Sequence, residues 1–271
     1  MINYNGSISS VNEIQIPFNN RAFSYGDALF ETLKFNNNTI AFLEDHYFRL
    51  MASMRMLRME IPMFFTLDFF ESEIKKTIQA NNLETARIRF QVFRKTGGLY
   101  TPTNNYINFL IEVTKLNHTP KETFELDLFK DYYISTDILS NLKTTSRNIN
   151  ILGSIYAQEN GLDDAVLINQ NKHIVETTKA TIFLVKENKI YTPALSDGCI
   201  KGIMRKKVIE KIKDLGMFYF EETSISPFEL QKADAVFITN SIIGIQNVSK
   251  YRKKKYNLWI VENLKKELNL V

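Results

Sequence analysis

The chain of 271 residues is 44% hydrophobic and 24% charged, the balance of an ordinary globular protein with enough apolar side chains for a sizeable core. Its 34 basic and 30 acidic residues give a net charge of +4 spread along the sequence, which suits anionic small molecules; the one long basic run, Arg252-Lys253-Lys254-Lys255, reads as a solvated loop rather than a nucleic-acid patch. A single cysteine, Cys199, excludes an intramolecular disulfide, and Cys199 with three histidines offers no zinc spacing, so no metal is expected.

The segment Met1 to Ser7 lacks the pattern of a signal peptide, and no stretch reaches the roughly 18 apolar residues of a membrane helix. A cytoplasmic protein without membrane or nucleic-acid partners is the expectation. Asn5-Gly6 signals a hairpin, because a type I′ turn needs positive φ at both central residues. Asn36-Asn37-Asn38 closes a strand-like run from Leu29 to Phe35. From Leu43 to Leu57 the spacing of Leu43, Tyr47, Leu50, Met54 and Leu57 predicts an amphipathic helix, with His46, Arg49 and Ser53 on the adjacent stripe. A second helix is expected from about Leu67 to Ala80. Ile88, Phe90 and Val92 then alternate with Arg87, Arg89 and Gln91 as a half-buried strand would, and Tyr106 to Val113 reads as another strand.

The polar stretch from Asn117, with Pro120, is the best candidate for a boundary, since few core contacts cross such a segment. Beyond it come a strand from Phe124 to Ile134, a helix from about Asn148 to Asn160, and short strands at Ala165 to Ile168, Thr181 to Val185 and Lys189 to Tyr191. A helix begins near Gly202 with Met204, Val208, Ile212 and Leu215 as its buried stripe; a strand from Ala235 to Ile238 and a C-terminal helix from Leu258 to Leu268 complete the chain. Strands and helices mix without regular βαβ alternation. That pattern points to an α+β protein with a smaller N-terminal α/β domain (1–116), a linker (117–123) and a larger C-terminal α+β domain (124–271).

Ordered motifs run along both halves. Gly26-Asp27-Ala28-Leu29-Phe30-Glu31-Thr32 is followed by His46-Tyr47-Phe48-Arg49-Leu50 and by Leu142-Lys143-Thr144. Then come Leu162 to Asn169 with Ile174-Val175-Glu176, Gly202-Ile203-Met204-Arg205, and Ala233 to Ser241. Each piece is weak alone, but the set in this order resembles the successive signatures of the class IV aminotransferases, two-domain enzymes of pyridoxal 5′-phosphate (PLP) with the fold-type IV, D-amino acid aminotransferase-like architecture.

That resemblance implies PLP as cofactor, anchored by the C-terminal domain. Lys143 would form the Schiff base and then shuttle protons, with an amine pKa depressed by neighbouring positive charge. Glu176 would face the pyridine nitrogen and keep it protonated. The phosphate would take the backbone N–H groups of Ile203 and Met204 at a helix start, a charge-assisted contact from Arg49, and contacts from Thr239, Asn240 and Ser241. Met204 departs from the threonine often found in the family and so removes one hydroxyl.

The family includes branched-chain and D-amino acid transaminases and also aminodeoxychorismate lyase, which releases pyruvate and leaves p-aminobenzoate for folate synthesis. Arg147 four residues after Lys143, the Gly-Ile-Met-Arg variant and the glycine-containing stretch Arg94 to Tyr100 are similar to lyase sequences. Arg87, Arg89, Arg94 and Arg147 are candidates for binding a substrate with two carboxylates, because guanidinium suits bidentate carboxylate recognition. A small amino substrate and a homodimer are likewise implied by the resemblance.

Overall fold

The computed structural model describes residues 1–117 and 120–268; His118 and Thr119, inside the expected linker, lie outside the described residues. The chain forms two compact units: Met1–Asn117 with Lys143–Ser146, and His118–Leu142 with Arg147–Val271. Residues 143–146 thus group with the N-terminal unit, whereas the sequence reading assigns them to the C-terminal domain. No helix among the described residues is long and apolar enough to cross a membrane.

In the N-terminal unit, β1 (Ile2–Tyr4) and β2 (Ser7–Ser9) form a hairpin whose turn residues Asn5 and Gly6 have φ of 51° and 88°, as a type I′ turn requires. The short helix α1 (Arg21–Tyr25) is capped by the Asn20 side chain, which accepts from the N–H groups of Ala22 and Phe23. Strand β3 (Ala28–Asn36) turns through Asn37 and Asn38, both at positive φ, into β4 (Thr39–Ile40). Helices α2 (Leu43–Met56) and α3 (Leu67–Ala80) follow, then β5 (Ala86–Arg94) and β6 (Ile107–Lys115).

The six strands make one antiparallel sheet in the order β2-β1-β6-β5-β3-β4. Burial along β3 and β5 alternates, as period-two side chains dictate: Leu29, Glu31, Leu33, Ile88 and Phe90 lie on the covered phase, and Phe30, Thr32, Arg87 and Arg89 on the other. Phe65 from the α2–α3 connection and Phe70 of α3 pack on Phe90, the Phe70–Phe90 ring centroids being 4.5 Å apart.

The second unit opens with β7 (Glu125–Leu128) and α4 (Asn148–Glu159), and continues through β8 (Asp164–Ile168), β9 (Ile174–Thr177), β10 (Thr181–Lys186) and β11 (Lys189–Pro193). Helix α5 (Ile203–Leu215), β12 (Tyr219–Thr223), the single turn α6 (Glu229–Lys232) and β13 (Ala235–Asn240) come next. Strands β14 (Gly244–Val248), β15 (Lys250–Tyr251) and β16 (Lys254–Lys255) precede the last helix, α7 (Leu258–Leu268). Two five-stranded mixed sheets result, ordered β12-β11-β10-β13-β14 and β16-β15-β7-β8-β9. Their shared core includes Leu126, Val166, Ile174, Ile182, Val236 and Ile238.

Two expectations need correction. The strand expected from Phe124 to Ile134 stops at Leu128. Phe129 and Ile134 still donate to the carbonyls of Val166 and Ile168, but Lys130 and Asp131 between them are exposed, since two consecutive charges cannot continue beside the fully buried β8. The basic run at Arg252 is the turn and second strand of a hairpin, not a loose loop. Arg252 Nε donates to Asp127 at 2.7 Å and Lys250 Nζ to Glu125 at 2.6 Å, which ties the hairpin to β7.

Gly26 ends α1 at φ 64°, and a Cβ there would stand 2.2 Å from Ser146 Oγ. Gly26→Ala is expected to lower stability by at least the roughly 1–2 kcal/mol that a left-handed backbone costs an L side chain. The Gly26→Ala/Ser146→Gly double variant should recover the steric share but not the backbone share, as read from denaturant midpoints.

Candidate active site

A carboxylate on the covered phase of a strand is costly unless it is paired. Glu31, only 1% exposed, is paired twice from α2: Arg49 Nε donates to Oε1 at 2.8 Å and Arg49 Nη2 to Oε2, while His46 Nδ1–H donates to Oε2 at 2.7 Å. His46 and Arg49 are three apart, so one helix face presents both. Burial by itself would raise the Glu31 pKa, but the Arg49 charge and the hydrogen bonds from His46 and Arg49 outweigh it and bring it down to about 2. Burial lowers the His46 pKa, with the charges of Arg49 and Lys143 acting the same way against Glu31, so the imidazole is neutral at pH 7. Among the described residues, its buried Nε2 has no hydrogen-bond partner.

Lys143 joins the same sheet on its other phase. Thr144 bridges antiparallel to Leu29, the Phe30 N–H donates to the Lys143 carbonyl at 2.9 Å, and the Thr145 N–H donates to the Ala28 carbonyl at 3.0 Å. These bonds hold the Lys143 ammonium 4.4 Å from the centroid of the Phe30 ring. The guanidinium carbon of Arg89, two positions along the neighbouring strand, lies 3.9 Å from the same centroid. Burial and the adjacent Arg87 charge pull the Arg89 pKa below its ordinary value.

Arg94 is not in this group. Asp27, Asn105 and the carbonyls of Leu57 and Arg58 together accept all five of its N–H donors, and Arg21 shares Asp27 with it. Arg94 therefore braces the loop that follows β5, which corrects its expectation as a substrate contact. Arg21 adds to the brace by donating to the Leu99 carbonyl.

In the second unit, Asn141 precedes Lys143 by two residues; its side chain donates to the carbonyls of Leu195 and Cys199, and its carbonyl accepts the Lys201 N–H. The same 195–202 segment carries the Ile200 N–H, which donates to Oε2 of buried Glu176 at 3.0 Å. Gly202 is the N-cap of α5, where no side chain caps the helix, and Ile203 and Met204 open it. The first N–H groups of a helix have no partner within it and carry the positive end of its dipole. Arg205, donating to the Pro193 carbonyl and to Glu222, ties this helix start to the sheet.

A Cβ on Gly202 would lie 3.2 Å from Thr181 Oγ1, and Thr181 pairs with Thr239 across β10 and β13. The Thr239 hydroxyl is buried and has no partner among the described residues. The Asn240 side chain shapes the turn: its Oδ1 accepts from the N–H groups of Ile242 and Ile243 and its Nδ2 donates to the Lys179 carbonyl. Ser241 is half-buried at that turn. Arg147 Nη2 donates to the Leu142 carbonyl, one residue before Lys143.

The second unit thus offers a buried carboxylate, an uncapped helix start beside a glycine, and an orphaned hydroxyl, and the first a half-buried lysine and a held arginine. Carboxylate, anion site and amine are what PLP needs for its pyridine nitrogen, phosphate and aldehyde, so the residues present fit this cofactor. Glu31, His46 and Phe30 were not assigned roles from sequence. The legible signal was a glutamate in phase with Leu29, Leu33 and Phe35, which obliges a basic partner on the covering helix.

Residues 28–251 match the family model described as Amino-transferase class IV, and the chain belongs to that family. It is a PLP-dependent enzyme. It is 27% identical over 250 residues to the aminodeoxychorismate lyase of Vibrio harveyi, covering 89% of each chain. It is 24% identical over 249 residues to the D-alanine aminotransferase of Bacillus licheniformis, covering 88% of this chain and 83% of that one. Its fold is similar to that of the Escherichia coli branched-chain amino acid aminotransferase, with a TM-score of 0.88 at 20% identity over 98% of this chain and 92% of that one.

Since the folded-state pKa of Glu31 lies below its ordinary 4.5, the unfolded chain takes up the proton first as pH falls. The stabilisation is complete above about pH 4.5 and is lost towards pH 2. Glu31→Gln should flatten this acid limb in denaturation curves and cost about 3–5 kcal/mol at neutral pH, typical of a broken buried pair. Arg94→Ala should likewise lower the melting temperature, while Arg89→Ala should leave it within a few degrees of wild type.

Proposed function

We propose that this enzyme is an aminodeoxychorismate lyase that uses Lys143 as its PLP anchor. Glu176 would hold the pyridine nitrogen protonated. The phosphate would be taken by Arg49, by the N–H groups of Ile203 and Met204, and by the Thr239 hydroxyl, which supplies the group that Met204 lacks; Ser241 is the remaining candidate. When bound, PLP supplies the electron sink for a carbanion at the substrate carbon that bears nitrogen.

The observation that carries the lyase reading is the pair of guanidinium groups tied to the Lys143 segment. Arg89 stacks on the ring that Lys143 also contacts, and Arg147 bonds the carbonyl before it. Two arginines suit a substrate with two carboxylates; Arg87, next along the strand from Arg89, is a third candidate. The near-equal length of the Vibrio harveyi lyase supports the same reading. The freed Lys143 amine takes the proton from the substrate ring carbon that carries the amino group. The bond between the ring and the enolpyruvyl oxygen breaks, the leaving group gains a proton at its methylene carbon and departs as pyruvate, and the ring becomes p-aminobenzoate.

Transamination is the second reading, favoured by the similarity to the D-alanine aminotransferase. There, Lys143 would move the proton from the substrate carbon to the cofactor, and a 2-keto acid would accept the amino group. A homodimer is proposed with either activity. Phe18, Phe23, Leu99 and Tyr100 are strongly exposed, and Tyr25 of α1 meets Tyr100 at a centroid distance of 5.7 Å; a partner subunit would cover such side chains.

Purified enzyme given aminodeoxychorismate is expected to release p-aminobenzoate and pyruvate in equal amounts, and Lys143→Ala to abolish both the release and the visible absorbance of bound cofactor. Amino transfer to a 2-keto acid without p-aminobenzoate would replace the lyase reading with the transaminase one.

A further inference from the structure

We infer that Glu31 is a positioning residue for cofactor binding: by holding the Arg49 guanidinium in one orientation, it sets the affinity for the phosphate group without being a ligand itself. The inference rests on the proposed assignment of Arg49 to that phosphate.

The geometry is a fork gripped at both tines. Glu31 Oε1 takes the Arg49 Nε–H, and Oε2 takes an Nη2–H together with the His46 Nδ1–H. A free arginine side chain samples many rotamers, and ordering it on binding costs affinity. Here the ordering is done beforehand by a carboxylate anchored in a buried strand. The charge of Arg49 is balanced by Glu31, so the pair contributes direction more than net positive charge. Neutral His46 secures the carboxylate without adding a charge. A glutamine at position 31 would set an NH2 against donors from Arg49 or His46, and the fork would have to turn.

The test compares PLP with pyridoxal, which lacks the phosphate, by equilibrium dialysis against cofactor-free protein, with melting temperature recorded for each variant. Glu31→Gln is expected to weaken PLP about tenfold or more, the size of one ordered side chain with its charge-assisted bond, and to leave pyridoxal unchanged. Arg49→Lys keeps the charge but cannot donate the two parallel bonds of the fork, and should behave as Glu31→Gln does. If Glu31→Gln fails to fold, Glu31→Asp, which keeps the charge and shortens the reach, should show a smaller loss confined to PLP. Equal weakening of PLP and pyridoxal, or wild-type PLP affinity in Arg49→Lys, would overturn the inference. Should Arg49→Ala leave the PLP-to-pyridoxal ratio unchanged, the assignment of Arg49 to the phosphate falls, and the role of Glu31 with it. A changed ratio in Arg49→Ala with none in Glu31→Gln removes only the positioning role.

Discussion

Residues 143–146 are pinned to β3 by backbone hydrogen bonds, and the role proposed for Lys143 depends on that pinning. A lysine on a mobile loop could not keep its amine at a defined place, whereas Lys143 is held through its own carbonyl, which accepts from the Phe30 N–H, and through the bond of the Thr145 N–H to the Ala28 carbonyl. The chain reaches this point from a segment that Asn141 fastens to the 195–201 stretch, and leaves it through Arg147, which folds back onto the Leu142 carbonyl. A glycine is required opposite, because any side chain at Gly26 would occupy the space of Ser146. Such anchoring would restrain the amine before any substrate arrives, as the proton transfer proposed for it requires.

The N-terminal unit spends two ionic clusters on rigidity, one around a buried carboxylate and one around the half-buried Asp27, and they act on different elements. Asp27 with Arg21 and Arg94 braces the glycine loop after β5, while Glu31 with Arg49 and His46 braces a helix against a strand. Neither is a strong net source of stability, since desolvating the charges offsets much of their attraction. Their common effect is orientation. A buried carboxylate tolerates few arrangements of its partners, so each arginine has one place to be. That explains why Arg94, although basic and near the expected substrate loop, is consumed by structure.

The second unit would meet the needs of an anionic cofactor with little side-chain chemistry. Gly202 leaves the start of α5 without a side-chain cap, and in the proposed site the dipole and first N–H groups there would stand in for the hydroxyl that Met204 lacks. The Thr239 hydroxyl, buried without a partner among the described residues, is a cost that the phosphate contact proposed for it would remove. The Ile200 N–H ties the same segment to Glu176, so in the proposed site a few consecutive residues would serve both ends of the cofactor.

Sequence alone determined the elements whose signals are local: the Asn5-Gly6 turn, the spans of α2, α3 and α7, and the alternation of β5, because helical and pleated periods repeat within a few residues. The ordered motifs also named Lys143, Glu176 and the α5 start as candidates. What only the tertiary structure decided was how charges are paired. The early end of β7 at Leu128 and the hairpin at Arg252 depend on partners in β8 and β7 that lie distant in sequence. Arg94 and Arg89 sit five residues apart with similar local context, yet one is saturated by Asp27, Asn105 and two carbonyls and the other stacks on Phe30. Glu31 is alike: its phase in β3 is legible, but the neutral state of His46 and the grip on Arg49 follow from burial and from three atoms meeting, which no local pattern encodes.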